Sequence, residues 1–156
     1  VNKKHFTIFL FYFFIGLLVL CTGCGKKEIV KERSGKPLFI YKKFTHGVSP
    51  RSLEVKIYDD GYIVSKSEDL ASGKMNREAK TLRSKEVVSL KDFFLDRDFL
   101  NAEPIDMPAL YGGEVITITF NYEGKENTIK FLKGTKLPLS VERCWDRLED
   151  ILTDSY

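Results

Sequence analysis

The reactive groups this chain could combine are a thiol and an imidazole. His46, in "FTHGVSPRS" (44–52), is the one histidine beyond His5, and Cys144 is the one cysteine beyond the first 24 residues. A thiolate–imidazole pair would make a hydrolase. Against that, Cys144 falls on an apolar helical stripe, where cysteine serves as a small core residue, and His46 sits in a loop beside Gly47. A zinc site would need further Cys or His at close spacing, and these two are 98 positions apart. Asp96, Asp98, Asn101, Glu103 and Asp106 cluster after a helical segment, but Phe99 and Leu100 interrupt them and no glycine supplies the sharp turn of a calcium loop. They read as a solvated helix end. Gly112-Gly113 and Gly47 lack the spacing and helix context of a phosphate-binding loop. The expectation is therefore a non-enzymatic protein with no catalytic residues, no metal and no cofactor.

The other two cysteines carry a different chemistry. Lys3, Lys4 and His5 precede an apolar run from Phe6 to Leu20, followed by Cys21-Thr22-Gly23-Cys24 and then Gly25-Lys26-Lys27. This is the layout of a secretory signal. The end of the run resembles a bacterial lipoprotein lipobox, in which a cysteine after a small residue takes diacylglycerol and becomes the new amino terminus. Cys24 fits because Gly23 precedes it. Cys21 stands where Leu is usual, and it is a poor acceptor because Leu20 precedes it. The resemblance implies lipidation at Cys24, a signal peptide over 1–23, and a membrane partner held through acyl chains, two or more of which anchor stably. The body would lie outside the cytoplasm on the cell membrane or outer membrane. Gly25 gives no acidic retention signal, which favours the outer membrane by analogy. An uncleaved transmembrane anchor over Phe6–Cys24 and a secreted chain cut after Gly23 are the alternatives. Val1 reads as a GTG start codon translated literally, with truncation as the alternative.

The chain has 156 residues, 43% apolar and 30% charged, with a formal charge of +3. That suits one domain with a real core. Without residues 1–23 the balance is 23 basic against 22 acidic residues. So neutral a body argues against a nucleic-acid partner, which would need a basic stripe. Cys144 alone remains in the mature chain, so no internal disulfide can form and the fold rests on its core.

The elements follow from periodicity. Residues 25–36, "GKKEIVKERSGK", read as a polar tether after the lipidated Cys24, and 37–156 as one globular domain. Phe39–Phe44 reads as a strand. "SLEVKIY" (52–58) alternates Leu53, Val55 and Ile57 with polar neighbours, Asp59-Asp60-Gly61 turns the chain, and "YIVSK" (62–66) returns. Met75, Arg77, Ala79 and Thr81 could line a further strand. Ser84 is placed to cap a helix from Lys85 to about Leu95, with Val87, Leu90 and Phe94 at helical spacing. "EVITITFNY" (114–122), a turn at Glu123-Gly124-Lys125 and "NTIKFLK" (127–133) form a second hairpin. Val141, Cys144, Trp145, Leu148, Ile151 and Leu152 recur at steps of three and four, an amphipathic helix. The expected class is α+β: an antiparallel sheet built from hairpins with two amphipathic helices on one face.

Two loops offer contacts. "PIDMPALYGG" (104–113) is a loop by its prolines and glycines, yet it carries Ile105, Met107, Leu110 and Tyr111. Loops that expose Met and Tyr contact partners; closure over the sheet edge is the competing reading. "FTHGVSPRS" is the second, with Arg51 as anchor. The order of hairpin, helix ending in Asp92-Phe93-Phe94, proline-bearing loop, second hairpin and amphipathic C-terminal helix resembles emfourin-type domains over residues 38–152, with Phe99-Leu100 as another match for the aromatic pair. These are small inhibitors of thermolysin-like metalloproteases. The resemblance implies the fold and, as an alternative role, inhibition through loop 104–113; the anchor, tether and segment 67–83 depart from it. The leading expectation is an envelope lipoprotein whose small domain binds an unidentified protein.

Overall fold

The computed structural model describes residue 30 and residues 33–107 and 112–154. Residues 1–23, Cys24, most of the tether, and Leu110 and Tyr111 lie outside these. The described chain is α+β, a six-stranded antiparallel sheet with two α-helices. The strands are β1 (Phe39–His46), β2 (Arg51–Ile57), β3 (Tyr62–Asp69), β4 (Lys74–Thr81), β5 (Gly113–Tyr122) and β6 (Lys125–Leu132), in the spatial order β4-β3-β2-β1-β5-β6. Helix α1 (Ser84–Asp96) and a short 3-10 turn (Phe99–Asn101) join β4 to β5, and α2 (Leu139–Asp154) follows β6.

The period of two sets what each strand buries. Phe39, Tyr41, Val55, Ile57, Ile63, Ile116, Ile118, Phe120, Ile129 and Phe131 are buried, and their registers place them on one side of the sheet, here the inner side. Phe39 stacks on Phe120 with ring centroids 4.8 Å apart and meets Phe94 of α1 edge-on at the same distance. Phe99 closes the group against Phe94 and Phe120. From α2, Val141, Cys144, Leu148, Ile151 and Leu152 join the core. The Tyr41 hydroxyl donates to Glu149 of α2 at 2.7 Å. Asn127 binds the carbonyls of Phe99 and Ala102, both at 2.8 Å, fixing the start of the loop that leads to β5.

Helix α1 starts one residue earlier than its spacing predicts. Arg83, not Ser84, is the cap: its N–H donates to the Glu86 carboxylate at 2.9 Å, and the same carboxylate receives its guanidinium at 2.6 Å. A carboxylate at the third helical position closes this box whatever the cap side chain.

The two ends of the sheet differ in what borders them. At the near end the chain enters β1. Arg33 pairs with Asp60 at 2.5 Å and lies 4.7 Å above the Tyr62 ring, and Lys36 pairs with Glu126 at 2.8 Å. At the far end lie the β1–β2 loop, the β3–β4 turn and the start of β5.

Candidate functional site

At the far end the sheet's inner side changes from apolar to polar. One transverse row reads Ile116, Lys43, Leu53, Ser67, Asn76; the last reads Glu114, Thr45, Arg51, Asp69, Lys74. All of these but Ile116, together with Ser52 and Glu68, line a cleft of about 550 Å³, with Leu53 as an apolar floor among charged and hydroxyl groups. Alternating charges across five adjacent strands offer partners to an extended polar segment.

Each wall has a local cause. Glu114 meets Lys43 at 3.1 Å and Lys133 at 3.0 Å. Partial burial pushes its carboxyl up, but the hydrogen-bonded ammonium groups of Lys133 and Lys43 outweigh this and hold it below the ordinary carboxylate value. Asp69 accepts from the backbone N–H of Ala71 at 3.0 Å and of Ser72 at 3.1 Å. These bonds, that from Ser72 first, lower its carboxyl as well, and they shape the β3–β4 turn. That turn begins with exposed Leu70, and the β1–β2 loop carries Val48, wholly exposed.

Of the two loops singled out in the sequence, the β1–β2 loop lies at this end, and the 104–113 loop reaches it at Gly113. Thr45 pairs with Arg51 on one side and Glu114 on the other, and His46 pairs with Gly113, the last residue of the 104–113 loop. Arg51 is exposed and lines the cleft. Ile105 packs against the core and Met107 is half-buried, so the described part of that loop is partly closed down. Lys43, Glu114, Asn76 and Val48 were not singled out by sequence reasoning. They have no motif; only the register of β1 with β5 brings the first two together.

The thiol and imidazole do not meet. Cys144 is fully buried inside the core, where burial pushes its thiol up to about 12. His46 is exposed and stands edge-on to Phe44, 4.5 Å away, on the outer side of β1. In the acidic cluster, Asn101 donates to Asp98 at 2.6 Å. Among the described residues, no group of three His, Cys, Asp or Glu side chains is arranged to hold a metal. Among the same residues, no helix is long and apolar enough to cross a membrane. No protein-family model matches this chain, and no curated protein matches it either.

Proposed function

We propose that this chain is a cell-envelope lipoprotein, anchored through Cys24, whose domain binds a protein partner at the far-end cleft. The observation that carries the reading is the opposition of the two ends. The chain arrives at the near end, through Arg33 and Lys36. The cleft, with exposed Val48 and Leu70 on its two loop tips, opens at the other end. Eight residues of β1 separate them, about 25 Å. A domain tethered at one end presents the other to whatever lies beyond the membrane. The reading takes both helices as amphipathic elements covering one face of a hairpin-built sheet. The contacts of Phe94 with Phe39 and of Glu149 with Tyr41, on the same side of β1, support this.

Inhibition of a thermolysin-like protease is the second reading. Its structural support is the approach of loop 104–113 to the cleft through Gly113. The aromatic positions of the emfourin resemblance have a sufficient reason in packing, since Phe94 and Phe99 both fill the core.

The test is crosslinking on intact cells followed by identification of the attached protein, with Arg51→Glu beside the native chain. A discrete adduct weakened by that change supports the cleft. An adduct indifferent to it counts against the cleft as the binding site. Mass analysis of the mature amino terminus tests the anchor separately.

A further inference from the structure

The outer side of the sheet carries a basic row that no strand shows by itself. Reading across all six strands, the registers align Arg77, Lys66, Glu54, Lys42, Thr117 and Lys130. Four cations share this row with one acid, Glu54, which lies 3.1 Å from Lys42 and 3.9 Å from Lys56 of the next row, and Lys66 lies 3.7 Å from Glu68 on its other flank. Arg77 sits directly opposite Lys66. Like charges facing each other across a ladder destabilise a sheet, so the pairing of these two strands does not by itself account for Arg77 opposite Lys66. On one flank the row is Ala79, Val64, Lys56, Ile40, Thr119 and Thr128, short or half-buried apart from one more lysine; on the other it is Met75, Glu68, Ser52, Phe44, Val115 and Leu132, where exposed Met75 adds an apolar side chain and Glu68 an acid. The helices carry the opposite sign: α1 and α2 hold four basic against eight acidic residues.

We infer that this outer sheet face docks on an anionic lipid bilayer, laying the domain down on the membrane that anchors it. The inference rests on the lipid anchor proposed above. Three observations select this occupant. The row is a cationic stripe across the width of the sheet, with short side chains on one flank and exposed Met75 on the other, complementary to a plane of phosphate headgroups above acyl chains. The row itself holds no aromatic ring, and the nearest on this side, Phe44, is half-buried with the His46 ring edge-on to it, a poor platform for a stacked base. And the chain leaves toward Cys24 on this same side, because Tyr62 and Glu126, which receive Arg33 and Lys36, are outer-side residues. Nine residues from Cys24 to Arg33 reach at most about 30 Å, so the bilayer is always near and weak attraction acts at high effective concentration. Docked this way, the domain lies along the membrane and the cleft is displayed through its inner-side mouth, with only Ser52 and Glu68 of its lining on the docked side.

The experiment uses the acylated mature chain on vesicles of phosphatidylcholine, and on vesicles with about a third of it replaced by phosphatidylglycerol. A bimane label is placed at Thr128→Cys on the outer side, with a control at Ser89→Cys on α1, and acrylamide quenching is measured. Docking predicts that the Thr128 label is quenched several-fold less on anionic than on neutral vesicles, while the Ser89 label is unchanged. Raising salt to about 0.5 M, where screening acts within a few ångströms, should remove the difference. So should the combined Lys42→Gln, Lys66→Gln and Lys130→Gln substitutions, which remove the charge and keep a polar side chain. Equal quenching of the Thr128 label on both vesicles, with the protein retained on both, overturns the inference. So does protection by soluble polyphosphate without any by anionic vesicles. Loss from neutral vesicles overturns the anchor instead; the docking face then stands if the chain still sediments with anionic vesicles and falls if it does not.

Discussion

Tyr41 of β1 donates its hydroxyl hydrogen to Glu149 of α2 at 2.7 Å, across the interface between sheet and helix. Burial, and then the hydrogen bond to Glu149, raise the Tyr41 hydroxyl pKa well above its ordinary value of 10.0. A raised pKa in the folded state means this contribution is complete below about pH 10 and is lost as pH rises beyond it. Tyr41→Phe should lower stability by about 2 kcal/mol at pH 7, the range for a hydrogen bond to a charged group. Urea unfolding at pH 7 and again above pH 10 checks both points. The variant should lie below the native protein at pH 7 and approach it in alkali.

Gly61 closes the β2–β3 turn with φ +85°, and a Cβ there would meet the Leu82 carbonyl oxygen at 2.6 Å. That carbonyl belongs to backbone held by the bond from the Leu82 N–H to Gly61 O, so it cannot easily move. Gly73, in the β3–β4 turn, has φ +66° but open space around it. Gly61→Ala should therefore cost clearly more than Gly73→Ala, which bears only the left-handed strain of about 1 kcal/mol. Paired denaturant midpoints read the difference directly.

Glu114 ties Lys43 of β1 to Lys133 beyond β6. Its carboxyl lies below its ordinary value in the folded state, so its contribution is present above about pH 4.3 and is lost as pH falls through the lower folded value. Glu114→Gln should be less stable than the native chain at pH 7, with the gap narrowing in acid. Thermal melting between neutral and acidic pH is the check. A gap that stays constant would assign the effect to shape rather than charge.

Cys144 is enclosed by the core and its thiol is pushed up to about 12 by burial, so at pH 8 little thiolate exists and little reagent can reach it. Alkylation with iodoacetamide should be very slow in native buffer and complete in denaturant. Rapid native labelling would show that α2 opens and exposes the core to reagent.

Alternation over Glu114–Tyr122 and the three-and-four spacing of Val141 to Leu152 made β5 and α2 legible, because each follows a single local period. The cleft was not legible in the same way. His46 and Gly113 are 67 residues apart in sequence and neighbours in the sheet, and no local pattern states that β1 lies between β2 and β5. The basic row was hidden for a second reason. Its cations come one per strand at 42, 66, 77 and 130, and the near-zero total charge of the body masks their segregation from the acidic helices. Arg51 was reachable only as a polar residue after a proline turn, without its neighbours.

Site-specific photocrosslinking on intact cells tests the display of the cleft most directly. A photoreactive residue at Asn76, on the cleft wall, is compared with one at exposed Val88 on α1. Display of the cleft to a protein partner predicts one discrete adduct from position 76 and none of that mass from position 88. The same adduct from both positions, or an adduct from position 88 alone, would contradict it.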